Sequence, residues 1–240
     1  SISEFSSKKK FVNYSAVMDR KREAYHSRPP KDINGGGSSY NFGILNYDWH
    51  HRAMLLDHFI EPSTSIEDFY NVRYGEQGDF VPQGYRYELR FSGGEAAIKL
   101  SRDGSVWSGE KKFDFSVSKE IRVSGEKDGF SVWYSLKNNS GSKGEFSFLL
   151  ELVFFFSSIE SAPFKETLAT QEYVFTDAVR GDIKIKFSIP VLIWIMPLET
   201  VSNSESGIEK TYQGSLVCAR ADRALGANEE LKFNLEIEVL

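Results

Sequence analysis

The histidines of this 240-residue chain offer few combinations that could bind a metal. All four lie in the first 60 residues: His26, His50, His51 and His58. If residues 49–60 are helical, His51 and His58 lie roughly 10.5 Å apart along the helix axis. Zinc ligands must each approach the metal to about 2.0–2.1 Å. The sequence therefore predicts no metal site, and no histidine on the strands that follow.

Nucleophilic catalysis is equally unsupported. The chain contains no G-x-S-x-G elbow, and its one cysteine, Cys218, lies in a predicted strand. Glu199 and Glu205 flank the turn-like NSESG segment and could converge as a glycosidase pair, whose carboxylates lie roughly 5–9.5 Å apart. We favour the interpretation that both carboxylates are solvated at the surface. We predict no catalytic residue, no metal and no cofactor.

Trp133 is the residue most suggestive of binding. Alternation in residues 130–137 places it on a polar face with Ser131, Ser135 and Lys137, opposite a face of apolar residues. An aromatic ring on a hydrophilic surface can stack on the C–H face of a sugar while its polar neighbours bond the hydroxyls. The alternative is an exposed or interface-packed tryptophan. Trp194, within VLIWIM, is predicted to be core.

Most of the chain has the period of two that is typical of strands. Residues 85–91 place Tyr85, Tyr87, Leu89 and Phe91 on one face and charged residues on the other, as in a half-buried strand. Similar alternation recurs at 112–117, 130–137, 183–188, 209–217 and 232–240, and turn signals lie at 102–104, 127–129 and 138–141. This pattern predicts a mainly β fold, a large antiparallel β-sandwich.

Two strands are predicted at the doubly covered centre of that sandwich. Residues 146–156 and 189–196 are apolar on both faces, apart from Glu151 in the first. Both are far shorter than the roughly 20 residues that span a bilayer. We therefore expect no membrane segment. With one cysteine and no visible signal peptide, we expect a reducing compartment, the cytoplasm.

The N-terminal region differs from the rest in charge and period. Residues 8–28 predict an amphipathic helix, and the Pro and Gly run of 27–40 predicts a flexible connection. We divide the chain into a helical arm and linker, 1–39, and a β-sandwich domain, 40–240. Residues 8–31 hold eight basic against two acidic residues, while the whole chain carries a net charge of −5. Because the acidic remainder would repel phosphates, we expect no nucleic-acid partner.

Two short helices are predicted before the strands. Asp48 has the chemistry of an N-cap for a helix at 49–60. Ser65 and Asp68 have the spacing of a capping box, which predicts a second helix starting at Ser65.

Two segments resemble a known domain. Residues 47–59, YDWHHRAMLLDHF, match in Tyr47, Asp48, Arg52, Leu56, Asp57, His58 and Phe59. Residues 193–214 match in an apolar strand with Trp194, then Pro197, Glu-Thr-Val-Ser, a Ser-Glu-x-Gly turn and Tyr-Gln-Gly. The chain is similar over about 40–240 to the C-terminal β-sandwich domain of family 57 glycoside hydrolases, which include 4-α-glucanotransferases and α-amylases.

The resemblance implies a galactose-mutarotase-like supersandwich appended to a catalytic (β/α)₇ barrel. The family's catalytic carboxylates belong to that barrel, and no part of this chain matches it. The resemblance thus implies a non-catalytic domain that supports a barrel and contacts an α-1,4-glucan. The candidates for contact with barrel or glucan are Asp48, Trp49, Arg52, Asp57, His58, Trp133, Glu199, Glu205 and Gln213.

Arg52 is expected to pair with Glu199 or Glu205, which would bring residues 48–58 and 199–213 together on one rim. Two other functions stay open at this point. One is a scaffold or protein-interaction sandwich that binds no sugar. The other is a free-standing enzyme similar to an aldose epimerase, which would need histidines on the sandwich.

Overall fold

Alternating strands dominate the computed structural model, which describes residues 48–81, 83–204 and 207–240, without the side chains of 203–208. The helical arm and linker of 1–39, and the boundary at residue 40, lie outside the described residues. That division of the chain stays a prediction.

The described elements are short at first and longer towards the C-terminus. In chain order they are β1 (Leu56–Ile60), α1 (Ile66–Tyr70), β2 (Arg86–Ser92), β3 (Glu95–Ser108), β4 (Lys111–Ser124), β5 (Gly129–Asn138), β6 (Gly144–Phe154), a 3₁₀ turn (Ile159–Ser161), β7 (Lys165–Glu166), β8 (Thr170–Phe175), β9 (Ile183–Ser204), β10 (Gly207–Leu225) and β11 (Glu230–Val239). No helix among these described residues is long and apolar enough to cross a membrane.

All strand pairs are antiparallel, and the long strand β9 joins two layers. The order is β1-β6-β10-β9-β11-β5-β4-β3-β2, with β7 and β8 also paired to β9. Residues 183–187 of β9 pair with β11, and residues 192–204 pair with β10. A 22-residue strand can bend from one layer into the other, so the two halves of the sheet face each other. The predicted antiparallel β-sandwich is confirmed.

Aromatic rings from both layers fill the space between them. Tyr134 of β5 stacks on Phe233 of β11 with a centroid distance of 4.9 Å, and Phe148 of β6 packs on both at 5.8 and 6.0 Å. These rings belong to one continuous buried cluster of apolar residues. Burial of this area stabilises the sandwich by roughly 25 cal/mol per Å².

The other face of β6 is covered as well. Leu149 packs with Trp194 and Cys218 in a second cluster beneath Ile66 and Phe69 of α1. The prediction of central, doubly covered strands holds for most of residues 146–156 and 189–196, and Trp194 is core, but Phe155 is 63% exposed and Pro190 is exposed as well. Ser65 caps α1 as predicted, since its Oγ accepts the Asp68 N–H at 3.1 Å.

The predicted helix at 49–60 is wrong, because Leu56–Ile60 form β1 along the edge of β6. Four of these five residues are buried, and they lie on both faces of the strand. An amphipathic helix would bury only one face of this segment. Asp48 consequently caps no helix and instead forms an ion pair with Arg52. The expectation that the strands carry no histidine is wrong too, since His58 lies in β1.

Two details of the β2–β3 hairpin differ from expectation. The predicted turn at 102–104 lies within β3, where a Cβ on Gly104 would come within 2.2 Å of an Asp79 carboxylate oxygen and within 2.9 Å of the Phe80 ring. β2 forms as predicted, but its apolar face is open: Tyr87, Leu89 and Phe91 are 67, 57 and 78% exposed. β2 is the last strand of the sheet, and among the described strands it pairs only with β3.

Candidate functional site

A carboxylate in the middle of the most apolar strand organises the first buried polar group of the domain. We call this group the Glu151 cluster; it comprises Asp48, His50, Arg52, His58, Glu76 and Glu151. Glu151 Oε2 accepts from Arg52 Nη1 at 2.6 Å and lies 3.2 Å from His50 Nε2 and 3.3 Å from His58 Nε2. Glu151 is fully buried, and these three nitrogen contacts to Oε2 compensate for the desolvation of its carboxylate.

The cations of this cluster keep Glu151 ionised. Burial alone would raise the pKa of Glu151, but contacts with His50 and His58 and the charge of Arg52 lower it well below its ordinary value. The other terminal nitrogen of the Arg52 guanidinium, Nη2, donates to Asp48 Oδ1 at 2.6 Å. A carboxylate with a lowered pKa holds no proton to donate near neutral pH, so Glu151 is unsuited to act as a general acid.

His58 is held between two carboxylates. Its Nδ1 lies 2.7 Å from Glu76 Oε2, and Glu76 also accepts the Phe59 N–H at 2.8 Å. Burial alone would lower the pKa of His58, but its contacts with Glu151 and Glu76 outweigh burial and raise the pKa to about 9. The imidazole is therefore protonated at neutral pH in the metal-free protein.

A second polar group, the Asp57 cluster, lies on the opposite side of β1; it comprises Asp57, Tyr85, Lys119 and Tyr134. Asp57 Oδ2 receives Lys119 Nζ and the Tyr85 hydroxyl, both at 2.6 Å, and Oδ1 receives the Tyr134 hydroxyl at 3.1 Å. Burial and the charge of Asp57 raise the pKa of both tyrosines, so these hydroxyls remain donors.

Leu55, the residue before β1, is held by hydrogen bonds to one residue of each cluster, Glu151 and Lys119. Leu55 adopts a φ of 65°, a left-handed conformation that is unusual for a residue with a side chain. Its N–H donates to the backbone carbonyl of Glu151 at 2.8 Å, and its own carbonyl accepts from Lys119. These two bonds hold the entry to β1 in place.

The predicted pair between Arg52 and Glu199 is wrong, because Arg52 is engaged by Glu151 and Asp48, while Glu199 pairs with Lys210 at 3.2 Å. Glu199 still lies near this region: the pKa of Tyr70 is raised by burial, then by Glu199, which is hydrogen-bonded to its hydroxyl, and by Asp48. The Arg52–Glu205 alternative cannot be placed, since Glu205 lies outside the described residues.

Two other candidates, Trp49 and Gln213, lie at separate places. Trp49 donates its Nε1–H to the Tyr74 hydroxyl at 3.1 Å, beside the Glu151 cluster. Gln213, at a β-bulge of β10, donates to Thr200 Oγ1 at 3.1 Å.

Trp133 lies on the outer face of the other layer, as predicted. It is 40% exposed and lines a groove of about 330 Å³ with Lys99, Glu120, Ser135 and Asn234. The guanidinium of Arg122 stacks 4.3 Å from the centre of its ring. The groove is open, and its walls combine polar side chains with the aromatic residues Trp133, Tyr134 and Phe233.

Sequence reasoning missed half of the Glu151 cluster and most of the Asp57 cluster. The cluster members that were not among the predicted site residues are His50, Glu76, Glu151, Tyr85, Lys119 and Tyr134. The signal for Glu151 and Lys119 was a charged residue at a position where the strand pattern requires an apolar one. For Glu76 and His50 the sequence gives no such signal.

The comparisons with known proteins agree with this fold. The family model described as "Alpha-amylase/4-alpha-glucanotransferase, C-terminal" matches residues 1–237. The 4-α-glucanotransferase of Thermococcus litoralis is 34% identical over 230 residues, covering 89% of this chain and 33% of its own length. The α-amylase of Pyrococcus furiosus is 32% identical over 248 residues, covering 99% of this chain and 35% of its own length.

One solved structure gives the same result. The T. litoralis 4-α-glucanotransferase structure matches with a TM-score of 0.70 at 30% identity, over 82% of this chain and 29% of that one. A galactose mutarotase-like protein from Clostridium acetobutylicum is a further neighbour, with a TM-score of 0.43 and 10% identity. The chain spans about a third of the length of the curated relatives it matches.

The resemblance noted from residues 47–59 and 193–214 is thereby confirmed. With its family match over nearly the whole chain and its sandwich fold, the chain belongs to the family of C-terminal domains of α-amylases and 4-α-glucanotransferases.

Proposed function

We propose that this chain is the non-catalytic C-terminal domain of an α-glucan-active enzyme and that it packs on a catalytic (β/α) barrel. The observation that carries the proposal is the family match over residues 1–237 in a chain that spans only a third of its relatives' length. A location in the cytoplasm is proposed with it, from the single, buried, unpaired Cys218.

The chemistry of the buried carboxylates supports a structural role. A glycosidase needs one carboxyl group that keeps its proton near neutral pH. Glu151 faces Arg52 and two histidines, which lower its pKa and hold it as an anion, and Asp57 pairs with Lys119. Their oxygens bind the protein itself and cross-link β1 to β6 and β4.

The open face of β2 supports docking of a further domain. Cross-strand neighbours Leu89, Ile98, Ile121 and Val132 form one row, of which Val132 is fully buried in the core. Leu89 is the exposed end of this row. We call the surface formed by Leu89 with the exposed Tyr87, Phe91 and Val123 the apolar stripe. Contiguous apolar residues left open on an edge strand are typical of an interaction surface.

The first experiment asks whether the chain alone acts on glucans. Purified chain is incubated with maltoheptaose and the products are separated by chromatography. We expect neither glucose nor longer and shorter oligosaccharides. Product formation that is lost on substitution of Glu199 or Glu205 by Gln would contradict the proposal.

Contact with the glucan is the second part of the proposal, and Trp133 is its proposed centre. The groove offers one aromatic face with Lys99, Glu120, Ser135 and Asn234 around it, a combination that suits stacking on a sugar ring and hydrogen bonds to its hydroxyls. Trp107 provides a matched control, since it is 39% exposed and lies on β3 outside the groove.

The second experiment is a maltoheptaose titration followed by tryptophan fluorescence and calorimetry. We expect Trp133→Ala to weaken binding at least about tenfold, the loss of roughly 1.4 kcal/mol, and Trp107→Ala to leave it unchanged. Equal affinities of the two variants would exclude Trp133 as the sugar contact, and no binding by the unchanged chain would favour the alternative, a scaffold that binds no sugar.

A further inference from the structure

Two imidazoles and one carboxylate converge in the Glu151 cluster with the spacing of metal ligands. His50 Nε2 and His58 Nε2 lie 3.2 and 3.3 Å from Glu151 Oε2, and the three ligand atoms lie within 4.8 Å of one another. Ligands bound at 2.0–2.1 Å around a tetrahedral ion are about 3.3–3.4 Å apart. The two measured contacts thus have the length of tetrahedral edges.

Unpartnered polar atoms point to a missing group at the same place. His58 Nε2, His50 Nδ1 and Arg52 Nε are buried and make no well-aligned hydrogen bond. Such atoms are rare in folded proteins, because each costs about 1–3 kcal/mol of desolvation. An ion bound to His58 Nε2 would satisfy the most deeply buried of them.

The orientation of His58 fits a ligand as well. Its Nδ1 lies 2.7 Å from Glu76, which leaves Nε2 directed at Glu151. A ligating histidine almost always donates its other ring N–H to a carboxylate, a carbonyl or water, and this contact fixes the tautomer. Glu76 is placed to make that contact.

Charge favours a divalent ion. Asp48, Glu76 and Glu151 supply three negative charges around the single guanidinium of Arg52. With both imidazoles neutral, a divalent cation balances the cluster, whereas protonation of one imidazole leaves it negative.

Arg52 competes with a metal for Glu151 Oε2, which it contacts at 2.6 Å. The other oxygen, Oε1, accepts only the Ala53 N–H at 3.2 Å among the contacts of the described residues, and it has room for a second donor. A shift of the guanidinium from Oε2 to Oε1 keeps its ion pairs with both Glu151 and Asp48.

We propose that His50, His58 and Glu151 form a structural binding site for a first-row divalent transition metal, Zn²⁺ foremost, with Glu76 positioning His58. The ion takes the place of the Nε2 proton of His58, which passes to the solvent as the ion binds, while His50 binds through Nε2 in its Nδ1–H tautomer. Two imidazoles and one carboxylate suit zinc. Bound there, the ion joins the segment before β1, β1 itself and β6.

The test is calorimetric titration of the full chain with ZnCl₂ after removal of metal by EDTA, with Co²⁺ absorption as a spectroscopic measure of coordination. We expect one ion per chain and a Co²⁺ visible spectrum typical of tetrahedral coordination. His50→Gln should weaken Zn²⁺ binding at least about 100-fold, and Glu76→Gln about 10- to 100-fold. The matched controls are His51→Gln and His26→Gln, which should leave affinity unchanged.

Circular dichroism on every variant ensures that folded proteins are compared, and His50 is chosen because it lies at the rim, 7% exposed, whereas His58 is fully buried. A chain that binds no Zn²⁺, binding that survives His50→Gln and Glu76→Gln, or binding lost with His51→Gln or His26→Gln would each overturn the proposal.

Discussion

Asp57 and His58 are neighbours in β1, yet they enter two separate buried ionic clusters on opposite sides of the strand. Asp57 faces Lys119 between the two layers, and His58 faces Glu151 on the other side of β6. Successive residues of a strand point to opposite faces. This dipeptide therefore links β1 to the aromatic core between the layers on one side and to the apolar cluster beneath α1 on the other. The five-residue strand is thereby fixed by charge as well as by its backbone pairing.

Glu151→Gln tests the first cluster. The change leaves Arg52 and His58 without their shared buried counter-ion, and we expect the free energy of unfolding to fall by about 3–5 kcal/mol. Glu145→Gln is the control, since it changes an exposed residue of the same strand. The measurement is urea denaturation of both variants; equal midpoints would show that Glu151 carries no such role.

Lys119→Met tests the second cluster. Removing the ammonium leaves Asp57 buried with two hydroxyl donors, and we expect a loss of about 3 kcal/mol. Adding Asp57→Asn removes the unpaired charge as well and should recover at least about 1 kcal/mol relative to Lys119→Met alone. Lys99→Met, on the exposed side of β3, serves as the control. Additive losses in the double variant would refute coupling through this ion pair.

His58 gives the metal-free protein a pH dependence at alkaline pH. Its pKa is raised from 6.5 in the unfolded chain to about 9 in the fold. A raised pKa means that its contribution is complete below pH 6.5 and is lost as the pH rises through about 9. The shift corresponds to about 3 kcal/mol at 1.36 kcal/mol per unit.

Chemical denaturation in EDTA between pH 6.5 and 10 measures this loss. His51→Gln should lose stability with the same profile as the unchanged chain, while His58→Gln should give a flatter one. Parallel profiles for His58→Gln and the unchanged chain would exclude His58 as the titrating group.

The strands were predictable from sequence where the hydrophobic period agrees with the fold. Residues 130–137 and 232–240 alternate cleanly, and both form the predicted strands, with Trp133 on the outer face. β1 was missed because its residues are buried on both faces, so no alternation is visible in the sequence. Its partner β6 lies nearly a hundred residues away, and pairing at that distance overrides the local helical spacing.

The site was less predictable than the fold. Arg52, Asp57 and His58 were recognised from the resemblance, but their partners are contributed by β4, β6 and the segment before β2. Which carboxylate meets Arg52 depends on strand register, and a polar residue within an apolar run does not reveal its partner. For the pairs Arg52–Glu151, His58–Glu76 and Asp57–Lys119, the sequence therefore points to one of the two partners.

The most direct test of the central claim is whether the apolar stripe binds a catalytic domain. The segment of the T. litoralis 4-α-glucanotransferase that precedes its matched region is expressed alone and mixed with this chain, and complex formation is followed by size-exclusion chromatography with light scattering. The matched C-terminal region of the T. litoralis enzyme is the positive control. Leu168→Lys, which changes an apolar residue 89% exposed outside the stripe, is the control variant.

We expect a one-to-one complex that Leu89→Lys with Phe91→Glu abolishes and Leu168→Lys leaves intact. If the T. litoralis C-terminal region forms the complex while this chain stays alone, or forms only a dimer of itself through the stripe, the claim that it is a docking domain for a catalytic barrel is contradicted.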